Sequence, residues 1–193
     1  MILITGFGPF DRFSYNPAEK LAKALGEISE YPHVILKVSY REAFRQLEEA
    51  YREFRPKAIL SFGLAAGRPA VTPERVAINR RGPKKDVEGN IVYGKIEEDG
   101  PDGIMTEFPV DKIVKRLNDS GIPSYESFHA GTYLCNAVYY KALRLTDRKA
   151  LFVHIPADYE LVLSHGLHIP AMRFDDLLEA GKIILEEIEK LTT

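Results

Sequence analysis

The chain has 193 residues, of which 45% are hydrophobic and 28% charged, and its formal net charge is −2. This composition predicts one soluble domain over residues 1–193, with no attraction to nucleic acid or to anionic membranes. No apolar run approaches the ~18 residues of a membrane helix, and the first residues lack the basic region of a signal peptide. The single cysteine excludes an internal disulfide and fits a reducing compartment. We therefore expect a cytoplasmic protein without membrane or nucleic-acid partners.

Hydrophobic periodicity predicts strands that alternate with helices. Strands are predicted over 1–5, 33–39, 58–62, 74–78 and 151–155, and helices over 17–25, 40–54, 111–118, 135–145 and 174–191. Asn16 is the predicted N-cap of the first helix and Gly26 its predicted C-cap. The glycine-rich, charged stretch from 80 to 103 is predicted to be a long excursion with a hairpin. The alternation predicts an α/β fold, a three-layer α/β/α sandwich with a mostly parallel central sheet.

The only cysteine, Cys135, follows the small pair Ala130-Gly131 and stands at the predicted start of an apolar helix. A thiol there feels the positive end of the helix dipole, which favours the thiolate and predicts a lowered pKa. His154 lies in an apolar strand that Pro156 ends, and it is the candidate base for this thiol. The alternative is that a lone cysteine beside an apolar helix is a small buried hydrophobic residue.

Glu74 is the candidate third member of this group. The charged pair Glu74-Arg75 precedes the apolar run at 76–78, where a charge is costly without a partner. The pair is either a structural ion pair, or Glu74 orients a histidine. In the second case Cys135, His154 and Glu74 match a nucleophile, a base and an orienting carboxylate.

Metal and phosphate binding have little support in the sequence. His165 and His168 are three residues apart, but no carboxylate or cysteine pattern completes a metal site. The loop at 63–68 follows a predicted strand but lacks the lysine and the Ser/Thr of a P-loop. We expect neither a metal nor a cofactor. The loop still lies where open α/β sheets place ligands.

Four short motifs occur along the chain in order. They are Gly6-Phe7-Gly8-Pro9-Phe10 with Asn16-Pro17, Gly63–Arg68 with Glu74–Asn79, Ala130–Asn136, and Phe152–Pro156. These motifs resemble GFxPF…NP, GxAxGR…ERxAxN, AGxxxCN and FxHxP of the pyrrolidone carboxyl peptidases, or pyroglutamyl peptidase I. That family consists of cysteine peptidases that remove an N-terminal pyroglutamyl residue, and the resemblance covers almost the whole chain.

The resemblance implies that Cys135 is the nucleophile, His154 the base and Glu74 the orienting carboxylate. The substrate-binding residues that it implies are Phe7, Phe10, Asn16, Leu64, Tyr133 and Arg81, with Lys84 as the alternative to Arg81. Two aromatic faces suit a flat, uncharged lactam, whereas a charged peptide N-terminus would be costly in an apolar slot. The resemblance implies peptides with N-terminal pyroglutamate as substrates, no cofactor, and a homotetramer.

Two departures from the family pattern lie near these residues. The stretch from 80 to 86 is shorter and more basic than the family's, and His129 occupies a position that is usually serine. Two alternatives therefore accompany the pyroglutamyl peptidase: a related cysteine amidase for another small acyl or lactam substrate, and a catalytically silent binding protein of the same fold. The joint presence of Cys135, His154 and Glu74 argues against the silent protein, because a binder needs no thiolate.

Overall fold

The computed structural model describes residues 1–11 and 13–192. Its strands and helices, in chain order, are β1 (Ile2–Phe7), α1 (Pro17–Ser29), β2 (His33–Leu36), α2 (Tyr40–Phe54), β3 (Ala58–Leu64), β4 (Thr72–Pro73), β5 (Val76–Ile78), β6 (Gly103–Met105), α3 (Val110–Asp119), α4 (Leu134–Leu145), β7 (Ala150–Ile155), β8 (Ala157–Asp158), α5 (Tyr159–His165), β9 (Ala171–Met172) and α6 (Phe174–Thr192). The predicted alternation of strands and helices is thus confirmed.

A central sheet with strand order β2-β1-β3-β7-β4 organises the fold. β2, β1, β3 and β7 pair in parallel, and the two-residue strand β4 runs antiparallel to β7 at the edge. β1, β3 and β7 are buried along their whole length, as parallel strands covered on both faces are. Residues of α1, α3 and α6 pack against one face, and residues of α2 and α4 against the other. This is the predicted three-layer α/β/α sandwich.

The first helix is longer than predicted, and Gly26 does not end it. α1 continues to Ser29, and Glu30, with a left-handed φ of 58°, is its C-cap. A Cβ atom at Gly26 would lie 2.4 Å from the ring of His33. Gly26 is therefore required for the close approach of α1 to β2, not for helix termination.

The stretch from 79 to 102 contains no strand among its residues, so the predicted hairpin is wrong. The only β-bridge that its residues form in the described chain is the isolated antiparallel bridge between Arg81 and Gly94. The buried side chain of Asn79 holds the segment together instead. Its Oδ1 accepts from the backbone N–H groups of Ile96 (2.8 Å) and Glu97 (2.9 Å), and its Nδ2 donates to the carbonyl of Glu97 (2.7 Å). Side-chain-to-backbone bonds here replace a strand ladder.

The predicted strand over 74–78 is shortened to Val76–Ile78, and a separate short strand precedes it. Thr72 and Pro73 form β4 in the central sheet, whereas β5 pairs antiparallel with β6 outside it. Glu74 lies between β4 and β5, where the chain leaves the sheet. Of the helices in the described residues, none has the length and apolar character that a bilayer-spanning helix needs.

Candidate active site

The predicted site residues meet at the carboxyl edge of the parallel strands. Phe7 ends β1, Leu64 ends β3, and His154 is the penultimate residue of β7, opposite Gly63 in the β3–β7 ladder. Cys135 is the second residue of α4. This edge is where open α/β sheets place their ligands, so residues far apart in the chain are brought together by topology alone.

His154 and Glu74 form a short hydrogen bond inside the protein. Nδ1 of His154 lies 2.7 Å from Oε1 of Glu74, and both side chains are buried. Because a carboxylate oxygen only accepts, Nδ1 carries the proton and Nε2 is the ring nitrogen left to act as a base. The backbone of Glu74 is fixed as well, since its N–H donates to the carbonyl of Phe152 (2.9 Å) and its carbonyl accepts from the hydroxyl of Tyr139 (2.8 Å).

Arg68 binds the same carboxylate oxygen. Its Nη1 lies 2.7 Å from Oε1 of Glu74 and 2.6 Å from Oγ1 of Thr72, and its Nη2 lies 3.2 Å from the carbonyl of His129. Burial by itself would raise the pKa of Glu74, but the hydrogen bonds from His154 and from Arg68 help to lower it overall. Glu74 is therefore ionised, and its charge is compensated inside the protein.

Arg75, the sequence neighbour of Glu74, belongs to a separate ion pair. Its guanidinium contacts the carboxylates of Glu126 and Asp111, the latter at 3.3 Å. The sequence predicted either a structural ion pair at Glu74-Arg75 or a carboxylate that orients a histidine, and each residue fits one of these alternatives. Arg75 makes a structural ion pair, and Glu74 binds a histidine.

The start of α4 is fixed by the residue that follows the cysteine. Asn136 is fully buried; its Oδ1 accepts from the N–H of Ile78 (2.9 Å), and its Nδ2 donates to the carbonyls of Ile78 (2.8 Å) and Arg80 (3.0 Å). The N-cap residue, Tyr133, contributes no side-chain cap within the described chain. The first backbone N–H groups of α4 are therefore available to an anionic oxygen beside Cys135.

The protonation of the thiol differs from the prediction. Burial and, secondarily, the charge of Glu74 raise the pKa of the Cys135 thiol to about 12, although Lys84 and Arg68 act to lower it. Burial also lowers the pKa of His154 below its ordinary value, against the opposing effect of Glu74. The shift is thus opposite to the predicted lowering of the thiol pKa, because desolvation of the thiolate is its largest cause. These two shifts favour a neutral thiol and a neutral imidazole in the resting site.

A cavity of about 360 Å³ opens beside the thiol and the imidazole. Cys135 and His154 both line it. The residues predicted for substrate binding that also line it are Phe7, Phe10, Asn16, Leu64 and Tyr133. Its volume is that of a small-ligand site, and its walls are largely aromatic and aliphatic.

Asn16 and Tyr133 shape two sides of this cavity. Oδ1 of Asn16 accepts from the N–H of Ala18 (3.0 Å), which confirms the predicted N-cap of α1, and its Nδ2 donates to the carbonyl of Gly8 (2.9 Å). Asn16 thereby fixes the turn that carries Phe10. The hydroxyl of Tyr133 donates to the carbonyl of Lys85 (2.8 Å), which ties the start of α4 to the basic stretch.

Arg81 is not among the described residues that line the cavity. Its guanidinium donates to the carbonyl of Lys95, and its backbone pairs with Gly94. Lys84 takes the place predicted for Arg81, with Nζ 4.7 Å from the ring centre of Tyr133 and 5.6 Å from that of Phe10. Of the basic residues in this stretch, Lys84 and not Arg81 lines the cavity, a choice that the basic character of the stretch did not make.

No group of three or more His, Cys, Asp or Glu side chains that could hold a metal ion is found in residues 1–11 and 13–192. An imidazole held by a buried carboxylate, in the same cavity as a thiol, can take the proton of the thiol as sulfur attacks a carbonyl carbon. This fold and this site define the class of α/β cysteine hydrolases.

Comparison with known proteins narrows that class to a family. The sequence profile described as pyroglutamyl peptidase matches residues 1–190. The pyrrolidone-carboxylate peptidase of Halalkalibacterium halodurans is 40% identical, over 97% of this chain and 98% of its own, and pyrrolidone-carboxylate peptidase 1 of Saccharolobus solfataricus is 35% identical, over 97% and 93%. The chain belongs to the pyroglutamyl peptidase family, which is a family of cysteine omega peptidases.

Solved structures agree with this assignment. A mutant pyrrolidone carboxyl peptidase from Pyrococcus furiosus has a TM-score of 0.91 at 32% identity, covering 100% of this chain and 99% of its own. The pyrrolidone carboxyl peptidase from Thermus thermophilus has a TM-score of 0.88 at 34% identity, covering 97% and 100%. The family resemblance and the predicted fold class are both confirmed.

Gly63 limits the space behind the thiol. A Cβ atom at this position would lie 2.7 Å from the ring of Phe152 and 3.0 Å from Sγ of Cys135. We expect Gly63→Ala to lower kcat/KM by about tenfold or more, because the methyl group must displace the thiol or the ring. Gly67→Ala is the matched control, since a Cβ atom there meets nothing within 4 Å. Steady-state hydrolysis by both variants measures the effect, and equal activities would show that the thiol does not depend on this contact.

Proposed function

We propose that Cys135, His154 and Glu74 carry out the peptidase reaction of this family member, the removal of an N-terminal pyroglutamyl residue from peptides. One observation supports this proposal above the others: the 2.7 Å bond between Nδ1 of His154 and Oε1 of Glu74, beside a cavity that Cys135 shares. This bond fixes the tautomer in which Nε2 can accept a proton. A protein that only bound its ligand would need neither the thiol nor this tautomer.

In the proposed reaction Sγ of Cys135 attacks the carbonyl carbon of the pyroglutamyl residue while Nε2 of His154 takes the thiol proton. The carbonyl oxygen becomes an anion, which the free N–H groups in the first turn of α4 stabilise. The imidazolium then protonates the amine of the departing peptide, and a thioester remains. Water, deprotonated by His154, attacks the thioester and releases pyroglutamate, and the proton returns to the sulfur.

The cavity favours an uncharged end group. Phe10 and Tyr133 line it with aromatic rings, and Phe7 and Leu64 add apolar surface. Its two basic side chains, Lys84 and Arg68, repel the ammonium group of an ordinary peptide N-terminus. The lactam nitrogen of pyroglutamate is neutral, so this end group avoids both the repulsion and the cost of burying a charge.

The family resemblance also supports a homotetramer of this domain in the cytoplasm. Several large apolar side chains remain exposed on the single chain, Tyr93, Phe128 and Leu163 among them, and they offer surface for contacts between copies. Light scattering on the purified protein measures the assembly directly. A monomer of 21.8 kDa would contradict the tetramer without affecting the proposed chemistry.

Hydrolysis of a fluorogenic pyroglutamyl amide, with and without iodoacetamide, tests the proposed reaction. We expect turnover that alkylation abolishes. Turnover of a different small acyl amide only would favour the related amidase, and alkylation without turnover of either substrate would favour the silent binding protein. Turnover that survives complete alkylation of Cys135 would contradict the thiol mechanism.

The same two readouts, measured against pH, test the neutral resting pair. Because the thiol pKa is raised, the alkylation rate should increase toward alkaline pH and should not reach a plateau below neutrality. Because the pKa of His154 is lowered, its neutral form persists into acid, and the acid limb of kcat/KM should lie below the ordinary value of 6.5. A constant, high alkylation rate below pH 7 would instead indicate a resting thiolate–imidazolium pair.

A further inference from the structure

Arg68 connects parts of the site that come from distant places in the chain. Its Nη1 donates to Glu74 and to Thr72, and its Nη2 donates to the carbonyl of His129. Its own N–H donates to the carbonyl of Ala65 (2.9 Å), which closes the turn that follows β3. The side chain of Arg68 is only 25% exposed, and it lines the same cavity as the thiol. One side chain therefore contacts the loop after β3, the sheet edge and the segment before α4.

Two of these contacts lead to the base. Oε1 of Glu74 is shared between Nη1 of Arg68 and Nδ1 of His154, both at 2.7 Å. The hydroxyl of Thr72, which accepts from Arg68, donates to the backbone carbonyl of His154 at 3.3 Å. Arg68 is thus connected to the ring of His154 through Glu74 and to its backbone through Thr72.

The third contact leads to the nucleophile. The carbonyl of His129 is held by Nη2, and Nδ1 of the same residue accepts from the N–H of Gly131 (3.0 Å). Gly131 has a φ of 83°, a conformation that favours glycine, and the chain then enters α4 at Leu134. The direction from which Cys135 enters the cavity therefore depends on the peptide that Arg68 holds.

We propose that Arg68 is a positioning residue of the peptidase site, which fixes the base through Glu74 and the nucleophile segment through His129 with a single guanidinium. This inference rests on the proposed roles of Cys135, His154 and Glu74. The arrangement needs the planar, multiply donating head group of arginine. A lysine has the charge but cannot donate along two fixed directions at once.

The charge of Arg68 has a second consequence. Glu74 draws a proton onto His154 and raises its pKa, whereas Arg68 lowers it. The other polar side chains that line the cavity together with His154 are those of Asn16, Lys84, His129, Tyr133 and Cys135. Arg68 compensates the carboxylate, so that the imidazole need not become cationic to do so. A neutral imidazole is the form that can accept the thiol proton.

Arg68→Gln and Arg68→Lys, together with a distant control, test this role. In Arg68→Gln we expect kcat/KM to fall roughly 10- to 100-fold and its acid limb to move to higher pH, because the cation that disfavours the imidazolium is lost. In Arg68→Lys the acid limb should stay near its wild-type position, since the positive charge remains. The value of kcat should fall, because a lysine cannot donate to Glu74 and to the carbonyl of His129 in the two fixed directions of a guanidinium. Arg116→Gln is the control, because Arg116 joins a carboxylate (Glu187, 2.7 Å) and a carbonyl (Ile183, 3.4 Å) far from the cavity.

A merely structural role would give a different pattern. Arg68→Gln would then resemble Arg116→Gln: its Tm would be lower, but kcat per folded molecule and the acid limb of kcat/KM would be those of the wild type. This outcome would overturn the proposal. If Arg68→Gln does not fold, a wild-type kcat in Arg68→Lys overturns it instead. Alkylation of Cys135 separates this inference from the proposed function. Arg68→Gln should slow alkylation, since Arg68 lowers the thiol pKa, whether or not the wild type cleaves the pyroglutamyl amide.

Discussion

Cys135→Ala is expected to abolish turnover, by roughly 10⁴-fold or more in kcat, and to leave the fold intact. The reason is chemical, because this is the only thiol in the chain and no other residue can form the thioester. Its Sγ lies near Gly63 and the half-buried side chain keeps contact with the cavity, so removing one sulfur atom should change the free energy of unfolding by only about 1 kcal/mol. Hydrolysis of the fluorogenic amide and a thermal unfolding curve measure the two effects.

Cys135→Ser is the matched control for packing. A hydroxyl nearly preserves the volume of the thiol, but it is a much weaker nucleophile without a stronger base. Both variants should therefore be inactive while both stay folded. Residual activity above one tenth of wild type in the alanine variant would refute the nucleophile assignment. Full activity in the serine variant would show that the reaction needs the size of this side chain and not its sulfur atom.

Much of the site could be predicted because it depends on topology. His154 and Leu64 stand at the ends of apolar runs that had to be parallel strands, and carboxyl ends of parallel strands meet at one edge of a sheet. The N-cap pattern at Asn16 and the apolar helix after Cys135 are likewise local in sequence. These features place the thiol, the imidazole and the aromatic residues together without any knowledge of side-chain contacts.

The thiol pKa could not be predicted in this way. The helix dipole is visible in the sequence because it depends on neighbours of Cys135 along the chain. Desolvation depends instead on what surrounds the sulfur, such as Gly63 of β3 and Phe152 of β7, more than 15 residues away in either direction. Such contacts exist only after the sheet has formed, and desolvation is the largest cause of the raised pKa of this thiol.

Arg68 and Arg81 show the same limit for charged side chains. A buried Glu74 requires a cation, but several arginines lie near it in sequence, and its direct neighbour Arg75 turned out to bind Glu126. Arg68 was identifiable only as part of a motif. In the stretch from 80 to 86, bonds such as those of Asn79 to the backbone at 96–97 decide which basic residue reaches the cavity. Hydrophobic periodicity in the sequence does not predict such bonds.

His154→Ala is expected to reduce kcat nearly as much as Cys135→Ala, whereas Glu74→Gln should cost roughly 10 to 100 times less than His154→Ala. Without this imidazole the site loses the base that Glu74 holds, and the raised pKa of the thiol keeps the proton on the sulfur. The glutamine variant keeps His154 and an oxygen that can accept from Nδ1, so it loses orientation and charge but not the base. Single-turnover rates for the two variants give the comparison. Equal or reversed losses would assign Glu74 to a structural role.

The pH profile of Glu74→Gln adds a test whose result a loss of folding stability cannot produce. Glu74 raises the pKa of His154, so its neutralisation should lower that pKa and move the acid limb of kcat/KM to lower pH. The acid limb should move in the opposite direction when Arg68 is neutralised. The two variants are otherwise alike, because Arg68 and Glu74 bind each other and each is replaced by glutamine. A folding defect would act alike in the two variants, whereas electrostatic control of one imidazole requires opposite signs. Shifts in the same direction would therefore refute the assignment of His154 as the titrating base.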